Sequence, residues 1–391
     1  MSPTQTMFSE PEERTALREA VAGLAGGYGR RFVEEQAASG GKMTEMWLDM
    51  GRHGFLGVNL PVAYGGGGGG MADLAAVLEE CAAAGAPMLM MVVSPAICGS
   101  IIVRCGTEDQ KRRWLPGIAD GTLLMAFGIT EADAGSNSHK ITTTARRDGD
   151  EWTLNGQKTF ISGVDEAQSV LIVARTADEK TGKLRPALFV VPTDAPGLTR
   201  SPIEMGWTAP EKQFTLFLDD VRLGTDALIG GQDGDLWQLF AGLNPERIMG
   251  AAMSCGIARY ALERAVEYAK VRTVWDDKPI GSHQGIAHPL ARVKIELEQA
   301  RLLWQKAATL YDAGDDFGAG EYANMAKYAG GEIACNATDV AVHTHGGNGL
   351  TVEYGLANML VAARLSRIAP VSREMILNFV AMHSLGLPRS Y

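Results

Sequence analysis

The feature that most constrains this chain is a change of rhythm along it: short alternating runs split by turn pairs fill the middle third, and helical spacing fills both flanks. Residues 142–163, TTTARRDGDEWTLNGQKTFISG, alternate over a few residues at a time and are interrupted by Asp148-Gly149 and Asn155-Gly156. Both pairs favour the tight turn of a β-hairpin, because Asn, Asp and Gly accept the positive φ such turns need. Ser169–Arg175, Pro186–Val191 and Gln213–Leu218 extend the β pattern, which predicts an antiparallel β domain over 123–237. Before it, stretches such as Met71–Ala84 and Ile97–Arg104 predict an N-terminal α domain over 1–122. After it, over 238–391, Arg247–Arg272 and Arg292–Asp312 predict long helices. Val293, Leu297, Ala300 and Leu303 recur there at helical spacing with Lys294, Glu296 and Glu298 opposite. The fold class expected is α+β, with a β domain between an α domain and a C-terminal four-helix-bundle-like α domain.

Composition narrows the function classes. A net charge of −10 repels phosphate backbones, so nucleic acid is not an expected partner. No apolar run approaches the ~18 residues of a membrane span. The opening residues, acidic and polar from Glu10, lack the charged-then-apolar order of a secretion signal, so a cytoplasmic protein is expected. Five cysteines without a CxxC pair (Cys81, Cys98, Cys105, Cys255, Cys335) predict reduced thiols rather than disulfides or a metal site. His343 and His345 lie two apart, on different faces of a helix, and predict no metal site either. The run Gly65 to Gly70 lacks the Lys-Ser/Thr of a phosphate loop and reads as a flexible connector.

Three segments carry side chains suited to a ligand. Phe127 to Ser136, FGITEADAGS, falls where the first α domain hands over to the β domain and offers backbone N–H groups with the Thr130 and Ser136 hydroxyls. Phe160 and Ser162, two apart at a strand end, would share one face, an aromatic ring beside a hydroxyl. Leu243-Asn-Pro-Glu-Arg247 reads as a helix start, with Asn244 as cap, Pro245 in the first helical position and Glu246 in the first turn.

Taken together, these segments resemble the acyl-CoA dehydrogenase family over nearly the whole chain. The residues that carry the resemblance are Ile129-Thr130-Glu131 with Ala134-Gly135-Ser136, then Leu154-Asn155-Gly156-Gln157-Lys158 with Ile161-Ser162. Arg272 with His283-Gln284, and His345-Gly346-Gly347-Asn348-Gly349 with Glu353-Tyr354, complete the register. The resemblance implies FAD on the β domain, held by Phe127, Ile129, Thr130, Gly135 and Ser136, with Phe160 and Ser162 beside the isoalloxazine. It implies that Arg272, Gln284, His343 and Gly347 reach the cofactor across a subunit interface, in a homotetramer built as a dimer of dimers. Ser372 and Glu374 match further flavin contacts, while Ser136, Asn244 and Arg247 match substrate contacts.

The implied reaction is α,β-dehydrogenation of an acyl-CoA thioester, with electrons passed to an electron-transferring flavoprotein. A base, a carbonyl polariser and a fixed stack are what that chemistry asks of a site. Many relatives carry the base in a C-terminal Tyr-Glu-Gly, and here Pro370 stands where that Glu would be. Proline also lacks the backbone N–H that the family uses at that place on the thioester carbonyl. The long-chain and isovaleryl enzymes keep the carboxylate at a C-domain helix instead, and Glu246 before Arg247 matches that position, so Glu246 is the expected base. An oxidase or monooxygenase, or a flavin-binding scaffold without turnover, are the alternatives on the same fold. The Met and Val content of Met88–Arg104 predicts an adaptable apolar wall for the acyl group.

Overall fold

The computed structural model describes residues 10–177, 181–230 and 236–389. Helices α1 (Glu12–Ser39), α2 (Thr44–Arg52), α3 (Met71–Ala83), α4 (Leu89–Met91), α5 (Ser100–Cys105) and α6 (Glu108–Asp120) precede the first strand, and a π-helical stretch, Val92–Gly99, joins α4 to α5. The central member is α3, buried along almost its whole length, with its Glu79 and Glu80 paired there to Arg18, Arg259 and Arg301. A capping box starts α6: Gln110 N donates to Thr107 Oγ1 (3.3 Å) and Thr107 N to Gln110 Oε1 (3.0 Å).

The glycine run before α3 is ordered rather than flexible. Gly67, Gly68 and Gly69 donate to the carbonyls of Gly57, Leu60 and Val58 at 2.8–2.9 Å. A Cβ at Gly66 would stand 2.2 Å from the Leu60 carbonyl oxygen, so the run is glycine because two backbones meet there. At its end Asp312 accepts from Met71 N (2.7 Å) and Ala72 N (3.0 Å), tying the start of α3 to the C-terminal helices.

Strands β1 (Met125–Gly128), β2 (Thr144–Asp148), β3 (Glu151–Ser162), β4 (Ser169–Ala177), β5 (Leu184–Pro192), β6 (Leu198–Ile203) and β7 (Gln213–Gly224) form one sheet in the order β1-β4-β2-β3-β7-β6, with β5 on β4. Most ladders are antiparallel as expected; β1–β4 and the single-pair β2–β4 contact run parallel. Asp148-Gly149 does turn between β2 and β3. Asn155-Gly156 does not turn: it lies inside β3, where the register with β7 shifts between Leu154 and Gly156. Asn155 and Asp220 exchange two 2.9 Å hydrogen bonds across that bulge, which absorbs the extra residue without reversing the chain.

The remaining helices are α7 (Leu236–Val271), α8 (Gln284–Asp312), α9 (Asp316–His345), α10 (Leu356–Ala362) and α11 (Arg373–Phe379). Helices α7 and α9 approach closely because Gly330 faces Ala251, where a Cβ would stand 3.0 Å from the Ala251 Cα. One continuous apolar core runs from α1 through the sheet to α9. Among the described residues no helix is long and apolar enough to cross a membrane.

Candidate active site

Glu246 does not sit at a helix start. Helix α7 begins at Leu236 and passes through Pro245 unbroken, so Asn244 is not a cap and the carboxylate gains nothing from a helix N-terminus. Proline inside a helix strips one N–H from the ladder and leaves the carbonyl four residues back without its donor. Here that carbonyl belongs to Ala241, and the Tyr311 hydroxyl donates to it at 3.1 Å from α8. A tertiary contact thus completes the helix that local sequence would have ended.

The carboxyl of Glu246 is partly buried, and its pKa is raised to about 7 by burial, against which the Arg247 and Lys327 charges pull. Lys327, on α9 and almost fully buried, is pushed down to about 8 by burial, opposed by Glu246. Asn244 and Arg247 belong to the same cluster: Arg247 donates to Asn244 Oδ1 at 3.1 Å, and Asn244 Nδ2 donates to the Asp316 carbonyl at 3.1 Å. Arg247 Nε is buried without a hydrogen-bond partner, a donor still available to a ligand. Cys98, wholly buried in the π-helical stretch, lies within the field of Glu246, and its thiol also approaches the Ala126 carbonyl of β1 at 3.5 Å. The carboxylate therefore lies between α7, α9 and the wall formed by Val92–Gly99.

The loop carrying Pro370 meets the same face of α7. A Cβ at Gly250, one helical turn beyond Glu246, would lie 3.7 Å from Pro370 Cδ. The Lys327 ammonium donates to the Val371 carbonyl of this loop. Sequence reasoning missed Lys327, although a lone lysine inside the apolar stretch NMAKYAGGEIA was a signal that could have found it.

The β domain supplies a second group. Phe127 is buried in β1, with Ile129 and Thr130 half-buried just beyond it, while Gly135 and Ser136 are exposed. Phe160 is 57% exposed and adopts a positive φ of 58°, unusual for an aromatic residue. Simple alternation does not relate Phe160 to Ser162. A register shift between Lys158 and Ile161 intervenes, so both of those side chains turn inward and the Phe160 ring outward. Ser162 Oγ donates to Gln213 Oε1 at 3.0 Å, leaving its oxygen lone pairs as acceptors. An exposed ring held in a sparsely populated conformation beside hydroxyls and backbone amides suits a planar ligand with a polar edge.

The third group lies at helix ends. Arg272 follows α7 and is exposed, as are Gln284 at the start of α8, His343 in the last turn of α9 and Gly347 in the 3-10 turn after it. Asn348 Nδ2 donates to the Tyr268 hydroxyl at 3.0 Å, which fixes that turn against α7. Gln284 lines an open cleft of about 430 Å³ with His288, Arg292 and Asn336. Around these polar residues Val271, Trp275, Leu350 and Val352 are 68–91% exposed. Ser372 caps α11, accepting from Met375 N at 3.3 Å, and Glu374 in the first turn of α11 is exposed.

Residues 11–122, 126–221 and 237–385 match, in turn, the families described as acyl-CoA dehydrogenase N-terminal, middle and C-terminal domain. The chain is 64% identical to acyl-CoA dehydrogenase FadE12 of Mycobacterium tuberculosis, over 99% of its own length and 100% of that protein. It is also similar to a glutaryl-coenzyme A dehydrogenase solved with glutaryl-CoA, at a TM-score of 0.93 and 29% identity, covering 98% of each chain. A glutaryl-CoA dehydrogenase from Mycobacterium smegmatis solved with FADH2 gives a TM-score of 0.90 at 27% identity, covering 98% of this chain and 96% of that one.

Proposed function

The chain belongs to the acyl-CoA dehydrogenase family of flavoprotein oxidoreductases, and from that premise we propose that it desaturates an acyl-CoA thioester between Cα and Cβ with Glu246 as the base. The observation that carries this reading is the meeting of Glu246 and the Pro370 loop on one face of α7. A base can reach that space from either element; here α7 places Glu246 on it, and the loop has Pro370 where many relatives carry their carboxylate. A carboxyl at about 7 is matched to removing a weakly acidic proton near neutral pH, since a base works best when its pKa lies near the working pH. Arg247, with its Nε unpaired, is suited to a polar group of the substrate, and Asn244 holds the guanidinium in place.

The β-domain group fits a flavin: an exposed ring at Phe160, the Ile129–Thr130 backbone, the Gly135-Ser136 turn and the Ser162 oxygen are suited to a flat ring and its polar edge. FAD, when bound, supplies the hydride acceptor that the second C–H bond requires. Arg272, Gln284, His343 and Gly347, exposed among large apolar side chains, would serve the cofactor of a second copy of the chain, which supports an oligomer such as a dimer of dimers. Electrons would leave to an electron-transferring flavoprotein, in a cytoplasmic setting. Ser136 would meet the substrate, and Ser372 and Glu374 the flavin.

Anaerobic bleaching of the flavin by a panel of acyl-CoA thioesters, measured on the parent and on Glu246→Gln, tests the reading. The parent should bleach with at least one thioester, and Glu246→Gln should bleach at least a hundredfold more slowly. Parent-like bleaching by Glu246→Gln would remove the base assignment.

A further inference from the structure

A lysine ammonium with no solvent contact needs a reason. Lys158, on β3, is 0% exposed, and its Nζ donates to Glu131 Oε1 at 2.8 Å and to the Ile129 carbonyl at 3.1 Å. Glu131 is equally committed. Its Oε1 accepts from Thr143 N (2.9 Å) and Thr143 Oγ1 (2.6 Å), and its Oε2 from Thr142 N (2.6 Å) and Thr142 Oγ1 (2.8 Å). Five donors on one buried carboxylate overcome its burial and hold it ionised, with a pKa lowered to about 2. The strand is shaped for this arrangement. A Cβ at Gly156 would stand 2.5 Å from Thr143 Oγ1, so only glycine lets β3 pass close enough for Thr143 to reach Glu131.

What the pair holds is the peptide before Thr130. Lys158 takes the Ile129 carbonyl inward, and Thr159 N takes the Thr130 carbonyl inward at 2.9 Å. In a trans peptide the N–H points opposite the carbonyl. With the Ile129 carbonyl drawn toward the interior, the Thr130 N–H is turned outward, to the side left open for a ligand.

We infer that Lys158 is a positioning residue for the flavin: through the Ile129 carbonyl it fixes the peptide plane that presents the Thr130 N–H and hydroxyl to the flavin's polar edge, and Glu131 fixes Lys158. This rests on the proposed flavin site, and the two can fail separately. A parent protein that binds no FAD would sink the flavin reading, whereas the variants below bear on Lys158 alone.

The experiment compares the parent holoenzyme with Lys158→Met, Glu131→Gln and the double variant Glu131→Gln/Lys158→Met. Measured are the FAD dissociation constant after reconstitution, the visible absorption spectrum, the reduction potential and the melting temperature. Lys158→Met leaves a buried carboxylate without its counter-charge, so its stability falls; the double variant removes that charge and recovers part of the stability, the glutamine amide nitrogen still facing a Thr142 or Thr143 N–H. FAD affinity should fall about tenfold or more in both, with an altered flavin spectrum and a lower potential, because the donor to the more negative reduced form is no longer held in place. A purely structural pair predicts that affinity and spectrum return toward the parent's in the double variant in step with the stability it recovers, and that result would overturn the inference. Glu131→Gln, isosteric and uncharged, carries the test should the Lys158 variants not accumulate. A smaller change in the same direction supports the inference, and a parent-like spectrum and affinity in that variant refute it.

Discussion

Replacing Glu246 with glutamine should lower activity and raise stability, and the gain should depend on pH. Burial holds the folded carboxyl near 7, against an ordinary 4.5. Between those values the native protein keeps a proton that the unfolded chain has released, so native stability falls as pH rises through the window. At ~1.4 kcal/mol per unit, the cost reaches about 3 kcal/mol at pH 8 and stays below about 1 kcal/mol at pH 5. The side chain keeps some solvent contact, so ~3 kcal/mol is a ceiling. Glutamine has the same volume and no charge. Glu246→Gln should therefore exceed the parent in stability at pH 8 by up to that amount and nearly match it at pH 5, while turnover falls by roughly 10²–10⁴. Denaturant unfolding of both proteins at both pH values reads the difference, and any pH-independent effect of burying an amide cancels in the comparison. An advantage equal at pH 5 and pH 8 would refute the argument, because it would mean that burial does not hold this carboxyl protonated.

Three further outcomes follow from the same geometry. The rate of flavin reduction in the free enzyme should rise with pH through about 7, the ionisation of Glu246, whose charged or titratable neighbours are Arg247 on its own helix, Lys327 on α9 and Cys98 in the π-helical stretch. Lys327→Met removes an opposing charge and should move that midpoint up by about one unit; a pH–rate profile with an unmoved midpoint contradicts this. Tyr311→Phe takes the donor from the Ala241 carbonyl that Pro245 leaves open, and should cost about 1–3 kcal/mol in a melting experiment, with amide exchange rising in α7 around 241–246. Gly156→Ala forces a Cβ to within 2.5 Å of Thr143 Oγ1 and should destabilise the β domain by at least about 2 kcal/mol; a melting temperature equal to the parent's would show that the strands part freely.

What the residues determined by themselves was the layout. Helical spacing on both flanks and alternating runs between them identify the α, β, α order, because a period of 3.6 or 2 survives whatever packs against it. The missed strands explain the limit of that signal: β1 is four residues long, and β6 is an edge strand containing Pro202, with its side chains mostly exposed and no alternation to read. Local turn chemistry also misled. Asn155-Gly156 makes a good hairpin pair in isolation, and its glycine serves instead to let β3 pass Thr143. At the site, the residue types were legible and their electrostatics were not. Leu243-Asn-Pro-Glu-Arg247 reads locally as a helix start, which would place Glu246 in a field that lowers its pKa. Only the fold could show that α7 begins earlier, that Tyr311 from another helix satisfies the carbonyl freed by Pro245, and that burial beside Lys327 raises the carboxyl instead. The pairing of Lys158 with Glu131, 27 residues apart, was hidden for the same reason. Periodicity belongs to the chain, whereas burial and the meeting of distant charges belong to the packed molecule.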